Sequence, residues 1–171
     1  MNTSLVITFI GDDRPGLVES LAKVISEQGG NWLESRLSQL DRKFAGIISI
    51  SLPSERSDAL EKSLKSLADH GLSVRLTKVQ GGGTKAETKI IKLSILGADR
   101  PGIVREISSE LARNHFNVSD MHSNVISAPM SAEALFEAQV DVQVPKNSDL
   151  NELSSRLDQI ADDMALDINI D

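Results

Sequence analysis

Gly11-Asp12-Asp13-Arg14-Pro15-Gly16-Leu17-Val18 is answered later in the chain by Gly97-Ala98-Asp99-Arg100-Pro101-Gly102-Ile103-Val104. The offset from position 11 to position 97 is 86 residues, and it also carries Asn31 onto Asn117. Each copy follows an apolar run, Leu5 to Ile10 or Ile90 to Leu96, and precedes a helical pattern. The repeat is therefore one of structure as well as of letters. Between the copies, Gln80-Gly81-Gly82-Gly83-Thr84-Lys85-Ala86-Glu87 is rich in glycine and carries no large apolar residue, which is linker composition. The expected division is a first unit over 1–80, a linker over 81–88 and a second unit over 89–171.

Working outward from the first motif, Leu17, Leu21, Val24 and Ile25 share one side of a helix, and Gly29-Gly30 supplies a left-handed stop. Leu33 and Leu37, then Gly46, Ile48, Ile50 and Leu52, predict two strands turning at Asp41-Arg42-Lys43. Leu60, Leu64, Leu67 and Ala68 form the stripe of a second helix ending at Gly71, and Leu72, Val74 and Leu76 alternate with polar residues as a last strand. The second copy repeats the order. Ile91, Leu93 and Ile95 alternate; Ile103, Ile107 and Leu111 make a helix stripe; Val118 to Ile126 reads as a strand. Phe136, Ala138, Val140, Val142 and Val144 alternate cleanly with polar residues, Leu150, Leu153, Leu157, Ile160 and Ala161 are spaced as a helix, and Leu166, Ile168 and Ile170 close the unit. Alternation of this kind belongs to antiparallel sheets covered on one face only. The expected fold class is α+β, with two ferredoxin-like βαββαβ units in tandem and helices on one face of each sheet.

Composition removes several functions. The 171 residues hold 18 Lys+Arg against 25 Asp+Glu, a formal charge of −7, with one Trp, four Phe and no Tyr, so direct nucleic-acid binding is not expected. The absence of cysteine excludes disulfides, a thiolate nucleophile and Cys-type zinc sites. The start, Met1-Asn2-Thr3-Ser4, lacks the basic and continuously apolar segments of a signal peptide, and no run is long enough to span a bilayer. A cytoplasmic chain without a membrane anchor is expected.

Where the first strand hands over to the first helix, peptide N–H groups have no intrahelical partner and attract anions. Asp13 and Asp99 are expected to cap those helices, Pro15 and Pro101 to sit in the first turn, and Gly16 and Gly102 to leave room for close approach. Helix-end amides with a neighbouring carboxylate are a chemical outline for an α-amino acid, although the same residues also serve as ordinary helix-start chemistry. Asn31 and Asn117 open the second strand, where an amide is expected to approach the first helix and offer a donor and an acceptor; as residues following a helix they are equally at home in a turn.

The βαββαβ order, the Asp-Arg-Pro-Gly turn and the Asn opening the second strand together resemble the ACT domain, a small regulatory module that commonly binds amino acids. Two such units with Ala128-Pro129-Met130-Ser131 before Leu135-Phe136, and no attached enzyme, are similar to the glycine cleavage system transcriptional repressor family. The resemblance implies ligand contacts from Asp13, Arg14, Pro15, Gly16, Leu17 and Asn31, and from Asp99, Arg100, Pro101, Gly102, Ile103 and Asn117. It implies side-by-side pairing of units with ligands near the interface, a homodimer, a small amino acid such as glycine as ligand, a transcription regulator as protein partner, and neither cofactor nor catalysis. Ala98 in place of Asp12, and His115-Phe116 in place of Gly29-Gly30, argue against equal affinity at the two turns.

Other readings rank lower. His70, His115 and His122 are scattered without metal-ligand spacing, and Ser119 and Ser123 near His122 have no acid placed by spacing. An acylphosphatase-like enzyme would cast Arg14 and Asn31 around a phosphate, but the proline and single inner glycine leave few N–H donors and Asp13 repels a dianion. A ligand-free interaction module, using the free edges of the sheets, is the remaining alternative.

Overall fold

The computed structural model describes residues 1–79, 87–128 and 133–171. The chain divides into two compact units, Met1–Gly83 and Thr84–Asp171. Unit 1 runs β1 (Asn2–Asp12), α1 (Leu17–Glu27), β2 (Asn31–Leu40), β3 (Lys43–Pro53), α2 (Ser57–Ser66) and β4 (Leu72–Lys78). Unit 2 runs β5 (Thr88–Ala98), α3 (Ile103–Arg113), β6 (Asn117–Ser127), β7 (Ala134–Pro145), α4 (Asn151–Met164) and β8 (Leu166–Ile170). Most of the expected linker lies outside the described residues, and Thr88, its last member, begins β5.

Both sheets are antiparallel with orders β2-β3-β1-β4 and β6-β7-β5-β8, the ferredoxin-like arrangement in which the first and third strands are central. The strand alternation predicts the cores. In unit 1, Leu5, Ile7 and Phe9 of β1 and Ile48, Ile50 and Leu52 of β3 are buried against Leu17, Leu21 and Ile25 of α1 and Leu60 and Leu64 of α2. In unit 2, Leu93 and Ile95 of β5 and all five alternating residues of β7 are buried against α3 and α4. Residues of the opposite parity face away from the helices of their own unit.

Three local features depart from the simple pattern. Leu33, expected to point inward, is 54% exposed. The pairing of β2 with β3 shifts between Trp32 and Glu34, so Leu33 is the extra residue of a bulge, and Trp32 packs against the core in its stead. The same bulge recurs in β6 between Val118 and Asp120, where the extra residue Ser119 donates its hydroxyl to the Asp141 carbonyl at 3.1 Å. The β2–β3 turn is closed by Asp41 and Arg42 alone, at φ 47° and 65°, the left-handed pair that a two-residue hairpin requires.

Candidate functional site

The repeated motif turns the chain before the helix and does not cap it. Gly16, at φ 84° and ψ 1°, and Gly102, at φ 103° and ψ −12°, are the N-cap residues of α1 and α3, and neither helix has a side-chain cap. These angles suit the third residue of a type II turn, whose second position favours proline. Pro15 and Pro101 therefore precede the helices, and the capping expected of Asp13 and Asp99 does not occur. The physical reason is that a Pro-Gly pair completes its own turn and delivers the Gly16 carbonyl, which accepts from the Ser20 N–H and hydroxyl, both at 2.9 Å. In unit 2 the Gly102 carbonyl accepts the Glu106 N–H at 2.9 Å. The leading glycines have a separate cause. A Cβ on Gly11 would stand 3.1 Å from the Gly71 carbonyl oxygen, and one on Gly97 would stand 2.8 Å from that of Ala165, so only glycine lets the neighbouring strand start so close.

Three contacts hold the unit 1 turn in place. The Asp13 N–H donates to the Arg42 carbonyl at 3.0 Å, which ties the turn to the β2–β3 hairpin. The Arg14 guanidinium donates to the His70 carbonyl at 2.7 Å, at the end of the short helical turn Leu67–His70 that follows α2. Asp12 pairs with Lys43, whose hydrogen bond and then charge hold the Asp12 carboxyl below its ordinary value. Unit 2 repeats the first two: the Asp99 N–H donates to the Ala134 carbonyl at 2.9 Å, and Arg100 donates to the Asp163 carbonyl at 3.1 Å near the end of α4. The arginines thus satisfy carbonyls at a helix C-terminus, where a cation is also favoured by the helix dipole.

An open hollow of 580 Å³ lies against the unit 1 turn, lined by Asp13, Arg14, Gly16, Leu17, Val18, Glu19, Ala22 and Phe44. It is large enough for a small metabolite. The first N–H groups of α1 have no intrahelical acceptor, and the charged residues of the lining are Asp13 and Glu19 against Arg14. Beneath Arg14 a smaller space of 120 Å³ reaches Ser20, Leu67 and His70. In unit 2 the position of Glu19 is taken by Arg105 and that of Ala22 by Ser108, so the two turns present different charge. Glu19 and Phe44 were not legible as site residues in one copy alone. The 86-residue offset sets Glu19 against Arg105 and so does not single it out, and Phe44 comes to the turn only through its pairing with Gly11, which the structure shows.

The register separates Asn31 from the turn of its own unit. Asn31 pairs with Ser51, and Ser51 with Ser4, whereas the turn follows Asp12. Eight residues of strand, at roughly 3.3 Å each, put about 26 Å between those two levels. Asn117 stands likewise: it pairs with Gln143, and Gln143 with Ile90, at the far end of β5 from Ala98. Its amide donates to the Gln143 side chain at 3.4 Å. One small ligand therefore does not touch both the turn and the asparagine of one unit. Pro129, Met130 and Ser131 lie outside the described residues. Among the described residues, no three His, Asp or Glu side chains are grouped as for a metal, and no helix is long and apolar enough to cross a membrane.

Fold and turn together define a tandem of small α+β modules built on one repeated strand–turn–helix motif. The chain belongs to the ACT domain family, whose model matches residues 3–77 and 89–171. Over 166 residues it is 23% identical to the glycine cleavage system transcriptional repressor of Escherichia coli, covering 96% of this chain and 85% of that one. A UPF0237 protein of Methanococcus maripaludis is 30% identical over 81 residues, covering 47% of this chain and 83% of that one. In fold the chain is similar to a protein of unknown function from Galdieria sulphuraria (TM-score 0.83, 24% identity, 100% and 98% of the two chains). It is also similar to a candidate glycine cleavage system transcriptional repressor (TM-score 0.73, 17% identity, 100% and 97% of the two chains).

Proposed function

We propose that this chain is a non-catalytic, amino-acid-sensing regulator that acts in the cytoplasm through contact with a transcription regulator, and that a small amino acid, glycine first, is the ligand. The observation that carries the reading is the hollow at the unit 1 turn. It sets unpaired helix-start amides, suited to a carboxylate, next to the Asp13 carboxylate, suited to an ammonium group. Membership of the ACT family and similarity to a glycine cleavage repressor support the regulatory role and the choice of glycine. The charge of −7 supports action through a protein partner in preference to DNA. Asp13 to Leu17 and Asp99 to Ile103 are the proposed contacts. Asn31 and Asn117 join a turn only when another β2 or β6 edge is laid antiparallel alongside, which carries the asparagine toward the turn end of the neighbouring sheet; a homodimer is proposed on that basis. The domain limits 1–80 and 89–171 are retained as part of the proposal.

A second reading, an interaction module without ligand, is favoured by one observation: Arg14 and Arg100 are both engaged with helix-end carbonyls, so the motif has a structural duty. The same engagement weakens the acylphosphatase-like role, which needs Arg14 on a phosphate.

Thermal unfolding with each proteinogenic amino acid at millimolar concentration tests these readings. One or a few small amino acids are expected to raise the midpoint; a ligand at 100 times its Kd stabilises by about 2.7 kcal/mol. Because Asp13 caps nothing, Asp13→Asn is expected to leave the free protein within about 0.5 kcal/mol of the parent while abolishing the ligand shift. No shift with any amino acid leaves the interaction module, and hydrolysis of an acyl phosphate would establish the enzyme.

A further inference from the structure

The 120 Å³ space beneath Arg14 is lined by Arg14, Leu17, Ser20, Leu67, His70 and Leu72. Its floor is apolar: Leu17 and Leu72 are buried, and Leu67 packs against the same core. Its one formal charge is a cation. The Arg14 guanidinium is fixed by its bond to the His70 carbonyl, which uses one of its five N–H donors. Among the described residues no carboxylate lines this space; Asp13 and Glu19 line the larger hollow instead. Unit 2 does not repeat the arrangement. On the 86-residue offset Glu106 replaces Ser20, and Asp163, whose carbonyl receives Arg100, replaces His70. Two carboxylates therefore take the positions that carry a hydroxyl and an imidazole in unit 1.

We infer that the space beneath Arg14 binds a short aliphatic monocarboxylate, its carboxylate on the guanidinium and its hydrocarbon tail on the three leucines. Size fits this class. A water takes about 30 Å³ of liquid and a dry cavity of about 150 Å³ holds benzene, so the space suits a chain of about four or five carbons. Water facing the leucines finds no hydrogen-bonding partner there, and an apolar tail that displaces it gains the burial of its own surface. The planar guanidinium selects the head group, because two parallel N–H···O bonds match a carboxylate. The missing carboxylate in the lining selects against an α-amino acid, whose ammonium group would stand beside Arg14 without a counter-charge. This site is separate from the larger hollow and needs no amino acid, so it stands or falls apart from the sensing function.

Titration of the full chain with isovalerate, followed by the methyl NMR signals of Leu67 and Leu72, tests it. Isovalerate is expected to move these signals with a millimolar Kd. Valine, the 2-amino derivative of the same skeleton, and isovaleramide, its neutral isostere, should bind at least about tenfold more weakly. Ser20→Glu installs the unit 2 residue in the first turns of α1, where an acidic side chain is tolerated, and should weaken isovalerate at least about tenfold with an unchanged far-UV circular dichroism spectrum. If Ser20→Glu fails to fold, His70→Asp decides, since unit 2 keeps the arginine contact with an aspartate in that place. Glycine, titrated in parallel, reports on the larger hollow through the ring signals of Phe44, which lines that hollow and not this space, so the two proposals fail separately. Isovalerate that leaves the Leu67 and Leu72 methyls unmoved, binds no better than valine, or keeps its affinity in the folded Ser20→Glu or His70→Asp variant overturns the inference.

Discussion

His115 sits at φ 56° and Ala165 at φ 50°, where unit 1 has Gly29 at 75° and Gly71 at 77°. The α1 and α3 stops are the same motif: Gly29 and Gly30 donate to Ser26 and Ile25, His115 and Phe116 to Ala112 and Leu111, all at 2.9 to 3.0 Å. This is the Schellman pattern, whose left-handed position favours glycine. A side chain there costs about 1 to 2 kcal/mol of backbone strain, part of which glycine loses again through its freer unfolded state. His115→Gly is therefore expected to stabilise unit 2 by about 0.5 to 1 kcal/mol, read from the urea midpoint, and Gly29→Ala to destabilise unit 1 by about 1 kcal/mol although nothing lies within 4 Å of the new methyl. At this scale the sequence was half legible. Gly29 announced its helix stop by residue type, while Asp13 resembled a cap and is not one, because the Pro-Gly pair behind it places the helix start three residues later.

Elements meet at the motif in a way that residue types do not reveal. Arg14 and Arg100 each cross from the strand–helix turn to the end of the other helical segment of their unit, over 56 and 63 residues of chain. Removing the side chain orphans a carbonyl at a partly solvated helix end, so Arg14→Ala is expected to lower unfolding free energy by about 1 kcal/mol. Arg100→Ala should do the same in unit 2, measured by chemical denaturation. The leading glycine is less forgiving. Gly97→Ala would drive a methyl to 2.6 Å from Leu166 Cδ2 as well as into the Ala165 carbonyl, and overpacking of this kind costs about 1 to 3 kcal/mol. Strand order and helix stripes were readable from alternation because burial on one face imposes a period of two. The bulges at Leu33 and Ser119 were not, since an inserted residue breaks that period without any residue type of its own. The asparagines looked like partners of the turn for a related reason: nearness along α1 suggested nearness in space, and only the strand register shows that the helix spans the sheet from one end to the other.

Each unit closes its own core, with no residue shared between the two clusters. Units of this size bury just enough apolar surface to fold alone, so small local deficits decide which is weaker. Each unit holds two non-glycine residues at positive φ, Asp41 and Arg42 in the hairpin turn of unit 1 and His115 and Ala165 at the helix stops of unit 2, but unit 2 alone also leaves, between α3 and β6, an apolar gap of 20 Å³ beside Val118, Met121 and Phe136. The equivalent of Val118 in unit 1 is Trp32, whose indole packs against the core. Lost packing at such a gap adds to the backbone strain. Unit 2 is accordingly expected to unfold first, in a transition separate from that of unit 1. The sole tryptophan makes this measurable, because Trp32 fluorescence reports unit 1 alone while far-UV circular dichroism reports both. In urea the dichroism should show two steps, with the fluorescence change confined to the later one. His115→Gly should then move only the earlier step to higher urea. A single transition, coincident by both probes and shifted as a whole by His115→Gly, would mean that the two units unfold as one and that the strain in unit 2 is shared by the entire chain.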